Sequence, residues 1–197
     1  IQDLYFARKI YKSKPLIHYD VGSRIDGFVS NVASFMNIKI LDIRPLENNN
    51  EGIDFLQCDL MDSLKVKEFL KENGKTSSLS CLHTLEHFGL GRYGDKIDLN
   101  GYVVGFKNIS KLLENNGIFF FSTPIGIERI EFNANRVFNP YTILNLAKEC
   151  GLKLVELSYV NSDDSMIEIR NGINNIDKLA IEKYNLGLFT FKKSRES

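Results

Sequence analysis

The chain has 197 residues, of which 43% are hydrophobic and 25% are charged, as expected for one globular domain with a sizeable core. Its 25 lysine and arginine residues balance 25 aspartate and glutamate residues, so the formal net charge is zero. Because a general nucleic-acid-binding protein needs a basic surface, this balance argues against nucleic acid as a partner. The apolar runs are too short to span a bilayer, so we expect no membrane span.

The three cysteines are widely spaced, with no Cys-x-x-Cys pair among them. Cys58, Cys81 and Cys150 each lie within an apolar stretch, where a free cysteine behaves as a small buried hydrophobic residue. We therefore expect neither a disulfide framework nor a cysteine-based zinc site. Since the sequence also lacks a signal-peptide pattern, we expect a reducing, cytoplasmic location.

Short β-rich runs alternate along the chain with segments of helical periodicity. The predicted elements are, in chain order, strand 16–21, helix 26–37, strand 38–43, strand 53–58, helix 62–71, strand 78–82, helix 101–114, strand 118–122, helix 139–151 and strands 152–160 and 186–191. A long glycine-containing connection follows strand 78–82, and a polar stretch of weak helical character separates the last two strands.

Residues at the predicted helix ends support these boundaries. Asp62 is a predicted N-cap, and Asn139 and Pro140 suit the cap and first helical positions. Gly117 and Gly151 are typical of helix C-termini. The alternation predicts an α/β fold: a doubly wound, mostly parallel seven-stranded sheet with helices on both faces, forming a single domain over residues 1–197.

An acid lies at the carboxyl end of each of the first three predicted strands. Asp20 precedes Gly22, Asp42 ends the second strand and Asp59 follows the third. In a doubly wound sheet these strand ends form the ligand crevice, where an acid about twenty residues after the glycine turn accepts hydrogen bonds from ribose hydroxyls. A single such acid is more simply a cap or loop residue, but three in register favour a ligand site.

Four of these segments resemble the first motifs of class I S-adenosylmethionine-dependent methyltransferases. They are residues 18–24 (HYDVGSR), 41–43 (LDI), 58–60 (CDL) and 82–88 (LHTLEHF). Residues 112–124 (LLENNGIFFFSTP) resemble the fifth strand of that family and its preceding helix, so the resemblance covers about residues 15–160. It implies a Rossmann-like fold, S-adenosylmethionine as cofactor and S-adenosylhomocysteine as product. The cofactor-binding half would be about residues 15–100, with sheet completion and an acceptor region in about 101–197.

Two further runs resemble a narrower, uncharacterised methyltransferase-like family, domain of unknown function 268. They are residues 86–95 (EHFGLGRYGD) and 132–138 (FNANRVF). Some bacterial members of that family lie among polysaccharide-biosynthesis genes. The resemblance therefore implies a small-molecule or glycan acceptor, and O-methylation of a sugar. It predicts no oligomeric state.

The methyltransferase resemblance assigns roles around the cofactor. Four residues would line its methionine end: Asp20, Gly22, Ser23 and Arg24. Asp42 would bind the ribose hydroxyls, and Asp59 and Leu60 would flank the adenine. The sequence departs from the family at Ser23 and Arg24, where the loop often has a small residue and a second glycine. Arg24 would then either crowd the amino-acid moiety of the cofactor or bind its carboxylate.

The predicted catalytic residues follow the fourth strand. Methyl transfer to a hydroxyl needs a base for the acceptor proton, for which His87 is the first candidate and His83 the second. Glu86 would orient one of these histidines; alternatively, Glu86 and His87 hold the loop through backbone hydrogen bonds. The predicted acceptor-binding residues are Arg92, Tyr93, Asp95 and Arg136. For Arg136, a salt bridge within the fold is the competing interpretation.

Two short patterns in this region have other meanings elsewhere. Residues 83–87 (HTLEH) fit the H-x-x-E-H pattern of inverted zinc peptidases, but they directly follow a strand, so we predict no metal site. Residues 89–94 (GLGRYG) formally match G-x-G-x-x-G without the strand before it that a dinucleotide-binding turn requires. We interpret them as a flexible active-site loop.

Two rival functions stay open on sequence grounds. The departure at Ser23 and Arg24 favours a methyltransferase fold that has lost catalysis and serves as a binding module. The alternative is another group-transfer enzyme that uses a sugar nucleotide in the same cleft.

Overall fold

The computed structural model describes residues 1–45, 51–132, 134–161, 165–169 and 173–195. Within these ranges the strands are β1 (His18–Val21), β2 (Ile38–Asp42), β3 (Ile53–Gln57), β4 (Thr76–Leu82), β5 (Leu113–Ile125), β6 (Arg129–Glu131), β7 (Asn135–Val137), β8 (Leu152–Val160), β9 (Met166–Ile169) and β10 (Asn185–Lys193). The α-helices are α1 (Gln2–Ser13), α2 (Ser30–Ala33), α3 (Ser63–Asn73), α4 (Gly101–Lys111), α5 (Pro140–Glu149) and α6 (Ile173–Ile181).

The main sheet has the strand order β3-β2-β1-β4-β5-β10-β8-β9. The five strands from β3 to β5 run parallel, whereas β10 is antiparallel to both β5 and β8. The chain winds outward from β1 in one direction through β2 and β3, and in the other through β4 and β5. The strand order therefore reverses between β1 and β4, where a doubly wound sheet forms its ligand crevice. The predicted α/β fold is confirmed.

The sheet separates two hydrophobic clusters, each covered by helices. Phe119 and Phe121 point to the cluster beneath α3, α4 and α5, while Phe120 points to the cluster beneath α1 and α2. This alternation along β5 follows from the two-residue period of a strand. Helices on both faces, as predicted, bury the sheet and leave its carboxyl-end edge to form the site.

Some predicted elements differ from the structure. The main sheet has eight strands instead of seven, because β9 pairs with β8 at the edge. Helix 26–37 is wrong: a kinked segment (Ile25–Val29), with non-helical dihedrals at Asp26 and Gly27, and the single turn of α2 take its place. Gly27 has φ 58° and ψ −107°, which a regular helix cannot contain, and a Cβ there would lie 2.4 Å from Oδ2 of Asp3. The polar stretch between the last two predicted strands contains β9 and α6.

A buried chain of polar side chains ties β1 to β4. His18 is fully buried, with Nδ1 and Nε2 each 2.8 Å from a hydroxyl, those of Ser78 and Ser80. The Ser80 hydroxyl donates to Oδ1 of Asp20, and Oδ2 of Asp20 accepts from the Ser23 amide at 3.1 Å. Since Ser80 donates to the carboxylate, it accepts from Nε2 of His18, which sets the tautomer. Burial lowers the pKa of His18 to about 3, so the ring is neutral.

We expect Asp20→Asn to remove part of the pH dependence of stability. Burial raises the pKa of Asp20 from 3.8 to about 6, although hydrogen bonds from Ser80 and Ser23 act in the opposite direction. Between these pH values the folded chain holds a proton that the unfolded chain has released. The contribution of Asp20 to the free energy of unfolding therefore falls as pH rises through this window, by about 3 kcal/mol at ~1.4 kcal/mol per pKa unit.

Urea denaturation at several pH values between about 4 and 7 tests this expectation, with the exposed Asp54→Asn as control. Relative to the parent chain, the Asp20→Asn variant should gain stability as pH rises. If the difference in the free energy of unfolding between Asp20→Asn and the parent chain stays constant over this pH range, Asp20 does not titrate there.

Candidate functional site

A cavity of about 510 Å³ opens at the carboxyl ends of β1, β2, β3 and β4. Its wall comes mainly from the four segments that follow these strands, residues 21–24, 41–44, 58–61 and 82–84. Residues from α1, from the segment after β1 and from the loop after β4 complete it: Gln2, Asp3, Asp26, Phe28, His87, Phe88, Tyr93 and Asp95. The volume is typical of a small-molecule site, and the position is the one that the strand order predicts.

Gly22 forms the closest contact at the base of the cavity. Its φ is +74°, and a Cβ at this position would lie 2.4 Å from Cγ2 of Thr84. Its amide donates to the carbonyl of Leu41 at 2.8 Å, which joins the ends of β1 and β2. Only glycine meets both the backbone conformation and the close approach, and Gly22 lies in the cavity wall as predicted.

The other residues of the first loop do not share one position. Asp20, predicted to line the methionine end of the cofactor, is fully buried beneath the loop and is not among the residues of the cavity wall. Its carboxylate instead fixes the Ser23 amide. Ser23 and Arg24 do line the cavity. The Arg24 side chain is 82% exposed at the rim, with Nε 3.7 Å from Oδ2 of Asp26, an exposed ion pair of small energetic value.

Asp42 lies in the cavity wall, but Arg44 already occupies its carboxylate. Nε of Arg44 donates to Oδ1 at 2.9 Å, Nη2 donates to Oδ2 at 2.6 Å, and the Arg44 amide donates to Oδ1 at 2.8 Å. The same guanidinium lies 5.1 Å from the ring centroid of Tyr93. The hydrogen bond and charge of Asp42 raise the pKa of Arg44 despite partial burial. Sequence reasoning missed Arg44, because its place two residues after a strand end does not reveal where its side chain turns.

Asp59 and Leu60 are neighbours in the cavity wall, just after the carboxyl end of β3. Their predicted role, to flank the adenine of the cofactor, needs such neighbours. Oδ1 of Asp59 accepts from the Met61 amide at 2.9 Å, while Leu60 is buried. The side-chain Nδ2 of Asn108, on α4, donates to the backbone carbonyl of Leu60 at 2.9 Å. This contact fixes the segment against the helix layer.

His83 and Glu86 form a hydrogen-bonded pair at the end of β4. Nδ1 of His83 lies 2.7 Å from Oε1 of Glu86, whose side chain is 1% exposed and absent from the cavity wall. Burial alone would lower the pKa of His83, but the hydrogen bond and charge of Glu86, with the charge of Asp3, raise it. His83 also has φ 53°, an uncommon conformation for a residue other than glycine.

His87 lines the cavity and is oriented by a backbone carbonyl. Its Nδ1 lies 2.6 Å from the carbonyl oxygen of Ala134, which can only accept, so Nδ1 carries the proton. In the neutral ring this leaves the lone pair on Nε2. Tyr93 packs edge-to-face on the ring, at 5.6 Å between centroids.

Asp95 shapes the glycine-rich loop from within. Oδ2 accepts from the amides of Gly89 and Gly91 at 2.7 and 3.2 Å, and Oδ1 accepts from the amide of Tyr93 at 3.1 Å. Tyr93 and Asp95 lie in the cavity wall, whereas Arg92 does not. Arg92 donates to the Ala134 carbonyl at 3.0 Å. These bonds connect the glycine-rich loop internally through Asp95 and to Ala134 through Arg92.

Arg136, predicted to bind the acceptor, is not among the residues of the cavity wall. Its side chain is buried and donates to the backbone carbonyls of Glu86, Phe88 and Leu99. The competing interpretation, a salt bridge, is also not what the structure shows, since these acceptors are uncharged. The sequence indicated a partner within the fold as one alternative for Arg136, but not that the partners are backbone carbonyls.

The zinc-peptidase pattern does not form a metal site in this geometry. His83 and His87 lie on either side of a single 3-10 turn (Leu85–His87), and Glu86 between them bonds His83. Across the described ranges, no group of three or more histidine, cysteine, aspartate or glutamate side chains is arranged to hold a metal ion. The three cysteines are free thiols. No described helix is long and apolar enough to cross a membrane.

Several solved structures of similar fold are described as methyltransferases. An O-methyltransferase family protein from Burkholderia thailandensis matches 99% of this chain with a TM-score of 0.58 and 11% identity, and the chain spans only 57% of its length. A putative sarcosine dimethylglycine methyltransferase from Galdieria sulphuraria matches 98% of this chain and 85% of its own, with a TM-score of 0.64 and 16% identity.

The N-methyltransferase NodS from Bradyrhizobium japonicum, in complex with S-adenosylhomocysteine, matches 97% of this chain and 85% of its own, with a TM-score of 0.60 and 12% identity. At these identities the likeness is one of fold, and it confirms the Rossmann-like methyltransferase architecture. No curated protein matches the sequence.

The narrower resemblance carried by residues 86–95 and 132–138 is also confirmed. The family model described as "Caenorhabditis protein of unknown function, DUF268" matches residues 30–189. Because that match covers most of the chain, this protein belongs to the DUF268 family.

Proposed function

We propose that this protein is an S-adenosylmethionine-dependent methyltransferase that methylates a hydroxyl group of a sugar or glycan. The observation that carries the proposal is His87, a histidine with Nδ1 bonded to a carbonyl, in the wall of a cavity at the strand-order reversal of a methyltransferase fold. A polysaccharide-related acceptor follows from the family resemblance, not from the cavity.

The residues of the cavity fit the cofactor, provided that Arg44 releases the carboxylate of Asp42. The close Gly22–Thr84 contact keeps bulk away from the base of the cavity, and Asp59 and Leu60 suit the two sides of an adenine ring. Asp42 suits the ribose hydroxyls once Arg44 has released its carboxylate. Ser23 and Arg24 would lie nearest the methionine end, where the exposed guanidinium of Arg24 suits a carboxylate.

The chain would contribute alignment and a base. When bound, S-adenosylmethionine supplies a methyl group on a positively charged sulfur. The acceptor oxygen gains this methyl group and loses its proton, which Nε2 of His87 is positioned to take because Nδ1 donates to Ala134. Tyr93 limits the orientation of the ring by packing on it. S-adenosylhomocysteine is the expected product.

A second function is favoured by the Asp42–Arg44 pair. Because this pair satisfies the carboxylate that would bind ribose, the fold could retain ligand binding without methyl transfer, or bind a sugar nucleotide for another group transfer. Binding of S-adenosylhomocysteine without any methylated product from sugar acceptors would favour the binding module. Competition between a sugar nucleotide and S-adenosylhomocysteine would favour the other transferase.

We expect substitutions at Asp42 and Arg44 to change cofactor affinity in opposite directions. Asp42→Asn removes charge-assisted hydrogen bonds to ribose, worth about 1.5–3 kcal/mol, so the Kd of S-adenosylhomocysteine should rise roughly ten- to a hundredfold. Arg44→Ala removes the competitor for the same carboxylate, so the Kd should fall by several-fold. Titration calorimetry of both variants, with Arg8→Ala on α1 as control, measures these changes.

A rise in Kd for the Arg44→Ala variant would contradict the competition and make Arg44 a ligand-binding residue. If calorimetry at millimolar S-adenosylmethionine and S-adenosylhomocysteine detects no binding to the parent chain, the proposed cofactor is wrong.

We expect His87→Ala to reduce methyl transfer about 10²- to 10⁴-fold, the usual contribution of a general base. The Kd of S-adenosylhomocysteine should change by less than about twofold, because the proposed role of His87 is toward the acceptor. Incorporation of labelled methyl groups into a panel of sugar acceptors measures turnover, and calorimetry measures the Kd. His83→Ala is the comparison: loss of turnover there, with full activity in His87→Ala, would assign the base to His83.

A further inference from the structure

The hairpin of β6 and β7 lies outside the main sheet and against the loop that carries His87. β6 and β7 pair only with each other as a two-stranded sheet. Two groups of the hairpin form hydrogen bonds with the loop. One is the carbonyl of Ala134, which lies between the strands, and the other is the guanidinium of Arg136, which lies in β7. The hairpin therefore contacts both the ring of His87 and the backbone beside it.

Arg136 bonds the backbone on both sides of His87. Its Nη1 donates to the carbonyl of Glu86 at 3.3 Å and to that of Phe88 at 2.5 Å. Nη2 donates to the carbonyl of Leu99 at 3.2 Å, at the far end of the same loop. One planar group thus fixes the residues before and after the histidine, and ties them to the end of the loop.

This arrangement is costly for a purely structural contact. The Arg136 side chain is buried, its Nε has no hydrogen-bond partner among the described residues, and burial lowers its pKa. The ring of Tyr102 lies 5.1 Å away, and the charges of Asp95 and Asp98 favour the cation from a distance. Buried ion networks often add little to stability compared with apolar packing. What a guanidinium supplies that an apolar side chain does not is a rigid fork that binds several carbonyls at once.

We propose that Arg136 is a positioning residue for His87. With the carbonyl of Ala134, it holds the imidazole in the orientation in which Nδ1 is the donor and Nε2 is the free nitrogen of the cavity wall. Arg136 touches neither acceptor nor cofactor. Its importance for turnover rests on the proposed function, whereas its control of the His87 tautomer does not.

The test is the tautomer of His87, measured together with turnover in the Arg136→Lys variant. Lysine keeps the charge but cannot bind three carbonyls through a planar fork. The chain has only three histidines, so nitrogen NMR of protein labelled at histidine resolves them, and His87→Gln assigns the signal. In the parent chain we expect the Nδ1-protonated tautomer; in Arg136→Lys we expect a mixture of both tautomers.

Turnover of the Arg136→Lys variant should fall about ten- to a hundredfold, as expected when a reacting group is displaced by about 1 Å. The KM for S-adenosylmethionine should stay within about twofold. The control is Arg129→Lys on the same hairpin, since Arg129 also binds two carbonyls, those of Ile127 and Lys183, but faces away from the loop. This control should retain the tautomer and the turnover of the parent chain.

An unchanged tautomer in Arg136→Lys, or equal effects from Arg129→Lys, would overturn the proposal. If Arg136→Lys does not fold, an Nε2-protonated His87 in the parent chain overturns the proposal. The supporting result is then an Nδ1-protonated ring whose signal shifts in Arg92→Lys, a variant that loses the Arg92 hydrogen bond to the Ala134 carbonyl. A chain that does not methylate any acceptor but shows the expected tautomer shift retains the positioning role and loses the proposed function.

Discussion

The close approach of Gly22 to Thr84 sets the geometry of the whole site. The turn after β1 and the turn after β4 meet where a Cβ would lie 2.4 Å from a threonine methyl group, so no other residue type fits at position 22. This contact brings together two loops that are more than sixty residues apart in the chain. Beneath it, the buried chain from His18 through Ser80 to Asp20 joins the same two strands. The cavity is the space that this junction leaves above the sheet.

The loop after β4 is held from its two sides by opposite charges. The Asp95 carboxylate accepts from three backbone amides, while the Arg136 guanidinium donates to three backbone carbonyls of the same region. A loop needs such partners because it lacks the internal hydrogen bonds of a helix or strand. Ordering a segment costs conformational entropy, and charge-assisted bonds are among the stronger ways to offset that cost.

The sequence predicts the elements whose signal is local and misses the features that depend on contacts between distant segments. The apolar strands, the Asp62 cap and the Asn139–Pro140 helix start are local, and the structure contains them. At Gly27 the chain leaves helical geometry beside Asp3 of α1, and the Asp42 carboxylate is bonded because the Arg44 side chain turns back toward it. Arg136 is the clearest case, since its type and motif gave no indication that its partners are carbonyls of another loop.

The two histidines of this loop differ in what bonds their Nδ1. His83 faces the buried carboxylate of Glu86, whose hydrogen bond and charge raise the pKa of the imidazole against the effect of burial. His87 faces the neutral carbonyl of Ala134, which fixes the tautomer without a paired negative charge. Each ring, when neutral and with Nδ1 as the donor, keeps its lone pair on Nε2. The two histidines therefore differ in the charge of the group that orients them and not in the nitrogen left free.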